Sequence, residues 1–313
     1  MTSFTIADIP DQTGRTAIVT GATGGLGYET ARLLAQAGAQ VILAGRNPEK
    51  GADALRRIRA AHAAANIAFE ALDLGNLASI AAFGTRMTGQ FKRLDLLINN
   101  AGVMTPPTRK TTSDGFELQF GTNHLGHFAL TGHLLPLLVQ AHGARVVTVS
   151  SIAARNGKID FDDLQAQRHY RPWPAYGQSK LANLLFAREL QRRSDANGWK
   201  LLSTAAHPGF ARTDLIANGP GKITGIAGIM TSLLMRVASN DASAGALPTI
   251  RAAVAPDVRP LDYYGPDGFM ALKGAPVRAK VPDLANDDAL ARRLWEVSEQ
   301  LTGLHYAAGP VAA

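Results

Sequence analysis

Short β-branched runs alternate with alanine-rich stretches of helical period along most of this chain, and that alternation limits the fold to one class. Thr16–Thr20 reads TAIVT and Val41–Ala44 reads VILA, with the helix-period stretch YETARLLAQA, Tyr28–Ala37, between them. The pattern continues as a helix over 48–62, a strand over 67–72, a helix over 77–91 and a strand over 94–98. Helical material follows over 115–140, then a strand over 145–149, a helix opening near Tyr176 and a strand over 201–206. Helical segments are expected from there to the end. Strands joined through helices of this length run parallel, since the crossover returns the chain to the end of the sheet where it started. The implied architecture is α/β, a doubly wound, mostly parallel sheet with helices on both faces. No internal repeat or flexible linker divides residues 1–313, so a single domain is expected, with a short N-terminal extension over 1–14.

Composition narrows the partners. Hydrophobic residues make up 46% of the 313, enough for a real core. The net charge is +7, yet only 18% of residues are charged and the basic clusters, LRRIR at 55–59 and LQRRS at 190–194, are short and helical. That pattern argues against nucleic acid and suits an anionic small molecule. The absence of cysteine removes disulfides, thiolate chemistry and cysteine-ligated metals. The N-terminus shows no secretory leader, and the most apolar later segment, 223–235, is too short to span a bilayer. A soluble, cytoplasmic protein without a transmembrane segment is expected.

In an open parallel sheet, ligands sit beyond the carboxyl ends of the strands, so the residues that follow each strand carry the function. After the first strand comes TGATGGLG, 20–27, with Gly21, Gly25 and Gly27 between a strand and a helix. Glycines there let a phosphate approach main-chain N–H groups at the positive end of the helix. After the second strand, Gly45 stands where a carboxylate would bind the adenosine ribose of NAD, and Arg46 follows. A guanidinium beside no carboxylate favours the 2′-phosphate of NADP(H). Asp73 and Leu74 follow the third strand, where Asp73 is either a cofactor contact or a helix cap, and NNAG, 99–102, ends the fourth. Ser150 and Ser151 follow the fifth. Tyr176 and Lys180 are spaced i, i+4, on one face of the next helix.

Taken in order, Gly21, Gly25 and Gly27, then NNAG at 99–102, a serine after the fifth strand and YxxxK at 176 and 180, make the chain similar to the short-chain dehydrogenase/reductase family over about 15–305. TNHLGHF, YGQSKLANLLFAREL and HPGFARTDL resemble its retinol-dehydrogenase-like branch, which also includes carbonyl reductases and protochlorophyllide reductases. The last of these is disfavoured here, since that group uses a cysteine proton donor. The resemblance implies a single-domain Rossmann fold and an NADP(H)-dependent interconversion of an aldehyde or ketone with an alcohol. It assigns Tyr176 as acid/base, Ser151 as the hydroxyl that orients the substrate oxygen, and Lys180 as the group that holds the nicotinamide ribose and lowers the phenol pKa. One cation at about 4 Å in an effective dielectric of about 20 is worth on the order of 4 kcal/mol, roughly three pKa units. Asn123 takes the place of the asparagine that fixes a water leading from Lys180 to solvent; a helix-interior amide satisfying backbone is the other reading. Gly21, Gly25, Leu26, Gly27, Arg46, Asp73, Leu74, Asn100, Ala101, Gly102, Pro208, Gly209 and Thr213 complete the cofactor contacts, with Tyr176 and Lys180.

Twenty-five residues separate Ser151 from Tyr176, so an extra loop beside the site is expected. The apolar segment 216–235, within 210–240, reads as a substrate lid, a membrane-surface contact or an ordinary core helix. Helices like 115–140 and 176–193 often pair between subunits in this family, which leaves a homodimer open. His124 and His127 lack further ligands and read as structural, and no metal site is expected. The adjacent acids of FDDL, 161–164, read as solvated. A different class, an NADP(H)-binding redox sensor or partner-binding protein without turnover, is separated from the enzyme by assaying NADPH consumption.

Overall fold

A computed structural model describes residues 4–209 and 241–306. Eight strands form one sheet: β1 Thr16–Thr20, β2 Gln40–Gly45, β3 Ile67–Ala71, β4 Leu96–Asn99, β5 Arg145–Val149, β6 Leu202–Ala206, β7 Tyr263–Pro266 and β8 Pro276–Arg278. Their order is β3-β2-β1-β4-β5-β6-β7-β8, parallel except for the antiparallel β7–β8 pair. Chain order reverses between β1 and β4, so the crevice that such a reversal opens lies beyond Thr20 and Asn99.

Helices cover both faces, and the strand pleat decides which residues meet which layer. Ala17 and Val19 of β1 join the core built with α1 (Gly25–Gln36), α2 (Pro48–Ala61) and α7 (Ala242–Val254). Ile18, between them, points to the opposite core, built with α3 (Leu77–Gln90), α5 (Gly126–Leu138), α6 (Pro172–Asn197) and α8 (Asp288–Thr302). An α-helical turn α4 (Leu118–Phe120) and a π-helical turn, Gly121–Leu125, lead into α5. Within the expected N-terminal extension, Gln12 N–H donates to Ala37 O at 2.7 Å.

Two expectations change. α1 starts at Gly25 and α6 at Pro172, ahead of the first periodic residues, because Gly24 caps the one and a proline fits the first turn of the other. The helical reading after 206 fails over 263–278, where β7 and β8 extend the sheet. YYGP and PVR carry glycine and proline, which weaken an isolated strand, and β7 is specified by its pairing with β6, Ala205 to Tyr263. The proposed lid over 210–240 lies outside the described residues. α6 is buried from Ala175 to Ala187, in part by α8 of the same chain.

Candidate active site

The cleft at the strand ends has a volume of about 1210 Å³. Its floor is the glycine turn. Gly21 and Gly25 have φ of +65° and +53°, which only glycine adopts without strain. A side chain at Gly27 would meet Asn100 Nδ2 at 2.5 Å. Asn100 ties the turn to the fourth strand, its Nδ2 donating to Thr20 O at 2.8 Å. Leu26, Leu74, Ala101, Gly102 and Pro208 line the same cleft. The cradle therefore fits a dinucleotide, with bare backbone where a pyrophosphate would lie.

At the far end, Arg46 and Lys50 face the cleft along with Thr23 and Glu49. A Cβ at Gly45 would sit 3.1 Å from Thr23 Cγ2, so the position is tight for the larger acidic side chain. Asp73 lines the cleft and does not cap α3; its Oδ1 accepts from Gly75 N–H at 2.9 Å, while Asn76 is the cap.

The reacting end is built on α6 and β5. Tyr176 is only 5% exposed, and the Ser151 side chain lies near enough to its phenol to favour the ionised form. Ser151 also caps a 3-10 turn, accepting from Ala153 N–H at 3.2 Å, which fixes its rotamer. Ser150, which itself lines the cleft, donates its hydroxyl to Lys180 O at 2.7 Å. Lys180 Nζ donates to Val149 O at 3.2 Å and lies 5.8 Å from the centre of the Tyr176 ring. Burial pushes the Tyr176 phenol up to about 12, against the lowering influence of Ser151. Burial pushes Lys180 down to about 8. Burial therefore dominates both groups, favouring the neutral phenol and the neutral amine.

Asn123, in the π-helical turn, uses its side chain on neighbouring groups. Oδ1 accepts from Val103 N–H at 2.8 Å, and Nδ2 donates to Val103 O at 2.9 Å and Ser179 Oγ at 3.0 Å. It holds Gly102 and Val103 beside Lys180, with a Cβ at Gly102 falling 3.5 Å from Nζ.

Pro208 and Gly209 follow β6, and Gly209 N–H donates to His207 Nδ1 at 3.3 Å. Thr213 lies outside the described residues. The loop before Tyr176 is latched to the opposite rim: Arg109 Nε donates to Gln165 O at 2.9 Å, Glu117 N–H to Gln165 Oε1 at 2.7 Å and Tyr170 OH to Pro106 O at 2.7 Å. Asp163 of FDDL accepts from the N–H groups of Gln167 and Arg168, a loop-shaping role.

Sequence reasoning passed over Val149, whose carbonyl also accepts from Asn183 Nδ2 at 3.0 Å. It also missed Trp173, 55% exposed and edge-on to Tyr176 at 6.2 Å. A backbone carbonyl leaves no sequence signal, but Trp173 sits one helical turn before Tyr176 and could have been found from that spacing.

The profile of the family described as short chain dehydrogenase matches residues 15–220. Retinol dehydrogenase 12 of Mus musculus is 42% identical over 296 residues, 94% of this chain and 88% of that protein. Retinol dehydrogenase 13 of Homo sapiens is 41% identical, with 93% and 85% covered, and polyprenol dehydrogenase of Mus musculus 40%, with 94% and 86% covered. Among solved structures, an uncharacterized protein from Mycobacterium paratuberculosis superposes with a TM-score of 0.81 at 40% identity, covering 98% of this chain and 100% of that one. The glycine turn, Tyr176 and Lys180 line one cleft, and with these likenesses the chain belongs to the short-chain dehydrogenase/reductase family of oxidoreductases, in its retinol-dehydrogenase-like branch.

Proposed function

We propose that this protein is an NADP(H)-dependent oxidoreductase that interconverts an aldehyde or ketone and the corresponding alcohol, on an apolar substrate, with Tyr176 as acid/base. The observation that carries this reading is the buried phenol of Tyr176 beside Lys180, with Ser151 near it, in a glycine-floored cleft.

A nicotinamide bound in the cleft supplies or takes up the hydride. The chain's own residues manage the oxygen and its proton. Ser151, held by its cap, hydrogen-bonds the substrate oxygen and aims it at Tyr176. The raised phenol pKa keeps Tyr176 protonated near neutrality, ready to donate as the carbonyl gains negative charge. In the oxidative direction the phenol must lose that proton, and the Lys180 ammonium stabilises the phenolate as it forms. Asn123 serves by holding the Gly102–Val103 backbone against Lys180.

Arg46 and Lys50 support NADP(H), two cations against the one carboxylate of Glu49 at that rim. The cleft wall of Val103, Met104, Pro106 and Leu118 supports an apolar substrate, as do relatives named for the apolar alcohols retinol and polyprenol.

The test is NADPH and NADH consumption over a panel of apolar and polar carbonyls. Tyr176→Phe is expected to lose at least about a hundredfold in turnover while still binding cofactor. Arg46→Ala is expected to lower the preference for NADPH about tenfold, the loss of a charge-assisted pair. Undiminished turnover by Tyr176→Phe overturns the mechanism, and NADPH binding without any turnover points to the sensing alternative.

A further inference from the structure

His127 lies on α5, one helical turn beyond Asn123, and is 1% exposed. Its Nδ1 is 2.9 Å from the main-chain oxygen of Asn123, and its Nε2 is 2.9 Å from Thr20 Oγ1. A carbonyl only accepts, so Nδ1 carries a proton. Burial, with the Lys180 charge nearby, pushes the ring pKa down to about 4 and keeps it neutral. Nε2 is therefore an acceptor, and the Thr20 hydroxyl, which lies 3.2 Å from Ile98 O but 2.9 Å from Nε2, donates to it over the shorter distance.

The same hydroxyl oxygen accepts from the main-chain N–H groups of Asn100 and Ala101, each at 2.9 Å. One imidazole thus joins two places the site depends on. On one side is the last residue of β1, where the glycine turn begins and where the NNAG loop is anchored. On the other is the π-helical turn, whose Asn123 side chain holds Val103 beside Lys180. A third tie steadies the ring's own backbone: Thr131 Oγ1 donates to His127 O at 2.8 Å and accepts from Asn99 Nδ2 at 3.1 Å. A core residue of equal volume would fill the space, but only a neutral imidazole of this tautomer presents a donor and an acceptor on opposite edges.

We infer that His127 is a positioning residue that locks the Asn123 turn to the ends of β1 and β4, so that the cofactor floor and the backbone beside Lys180 are held as one body. The kinetic part of this inference rests on the function proposed above.

Thr20→Val, His127→Phe and the double variant delete the link from either end, and Thr20→Ser restores it. Three readouts are taken: kcat and KM for a reduced carbonyl, the NADPH dissociation constant by fluorescence with NADH in parallel, and amide hydrogen exchange over residues 100–103. Each single variant is expected to lose about tenfold in kcat with the carbonyl KM little changed. The double should be no worse than the poorer single, since both changes remove one coupling. Thr20→Ser should recover to within about threefold of the parent, and His127→Phe should raise exchange at 100–103. Additive losses in the double, unchanged exchange in His127→Phe, or equal kcat in Thr20→Val and Thr20→Ser overturn the inference. If the phenylalanine variant does not fold, His127→Asn replaces it. Its amide keeps a donor toward Asn123 but falls short of Thr20, so it should match Thr20→Val in exchange, and parent-like exchange counts against the link. If the parent turns over no carbonyl, the functional reading fails and the exchange and cofactor-binding couplings still decide this one.

Discussion

Lys180 shows how a single residue's stability effect and its chemistry oppose each other. The residue is 4% exposed and its ammonium donates to Val149 O, yet burial dominates, so the folded chain releases its proton at about pH 8 while the unfolded chain holds it to 10.5. Unfolding therefore takes up a proton between those values, and stability rises with pH across that window. Above about pH 10 the buried tyrosines, Tyr176 and Tyr263 among them, pull the other way, because their folded pKa values exceed the unfolded ones. Lys180→Met is expected to raise the melting temperature of the cofactor-free protein at pH 7 and to flatten its rise between pH 8 and 10, while abolishing turnover. A variant that melts lower than the parent at pH 7 would show that the buried charge is compensated. The i, i+4 pairing of Tyr176 and Lys180 was legible in the sequence; the balance of desolvation over attraction was not, because it depends on what the rest of the chain packs around them.

At the level of elements, the loop between the 3-10 turn Ile152–Asn156 and α6 is fastened to the 106–117 segment, and its latches are side chain to backbone. Its presence followed from the spacing of Ser151 and Tyr176. What it touches did not, since Gln165 and Tyr170 meet Glu117 and Pro106 only through the fold. Latching it rigidly orders Trp173 and the start of α6 before substrate arrives, and preorganisation of this kind lowers the entropic cost of binding. Tyr170→Phe deletes one latch and is expected to raise KM for bulky apolar carbonyls several-fold, by about 1 kcal/mol, with kcat for a small aldehyde nearly unchanged. Equal effects on large and small substrates would remove the loop from substrate recognition.

For the whole molecule, the buried histidines set the acid limit. His124, His127 and His207 are pushed down by burial to about 3, about 4 and about 4. Unfolding lets all three protonate near 6.5, so the stability they allow is intact above that value and is lost as pH falls from about 6.5 toward 4. With three protons taken up, the slope approaches roughly 4 kcal/mol per pH unit near pH 5. The urea midpoint should fall steeply between pH 6.5 and 5, above the range where most carboxylates titrate; a flat midpoint there would refute the account. Trp295 of α8 stacks on Phe186 at 5.8 Å and meets Phe128 at 4.9 Å and Tyr306 at 4.5 Å edge-on, closing the core over α5 and α6. Trp295→Ala is expected to cost about 3–5 kcal/mol in chemical denaturation, because the cavity opens beneath the helix that carries Tyr176. A loss below about 1 kcal/mol would mean that α8 docks without its tryptophan.

The parallel α/β class, the glycine turn, Ser151 and the Tyr176–Lys180 pair were legible before folding, because they rest on local periodicity and on short motifs at predictable strand ends. The sequence did not reveal β7 and β8, whose residues become strand only against β6. Nor did it reveal that Asn123 spends its amide on Val103, or that His127 reaches Thr20, a residue more than a hundred positions away. Those were decided by tertiary structure, for one physical reason: a buried polar group must find a partner, and which partner lies within 3 Å is set by how helices and strands pack.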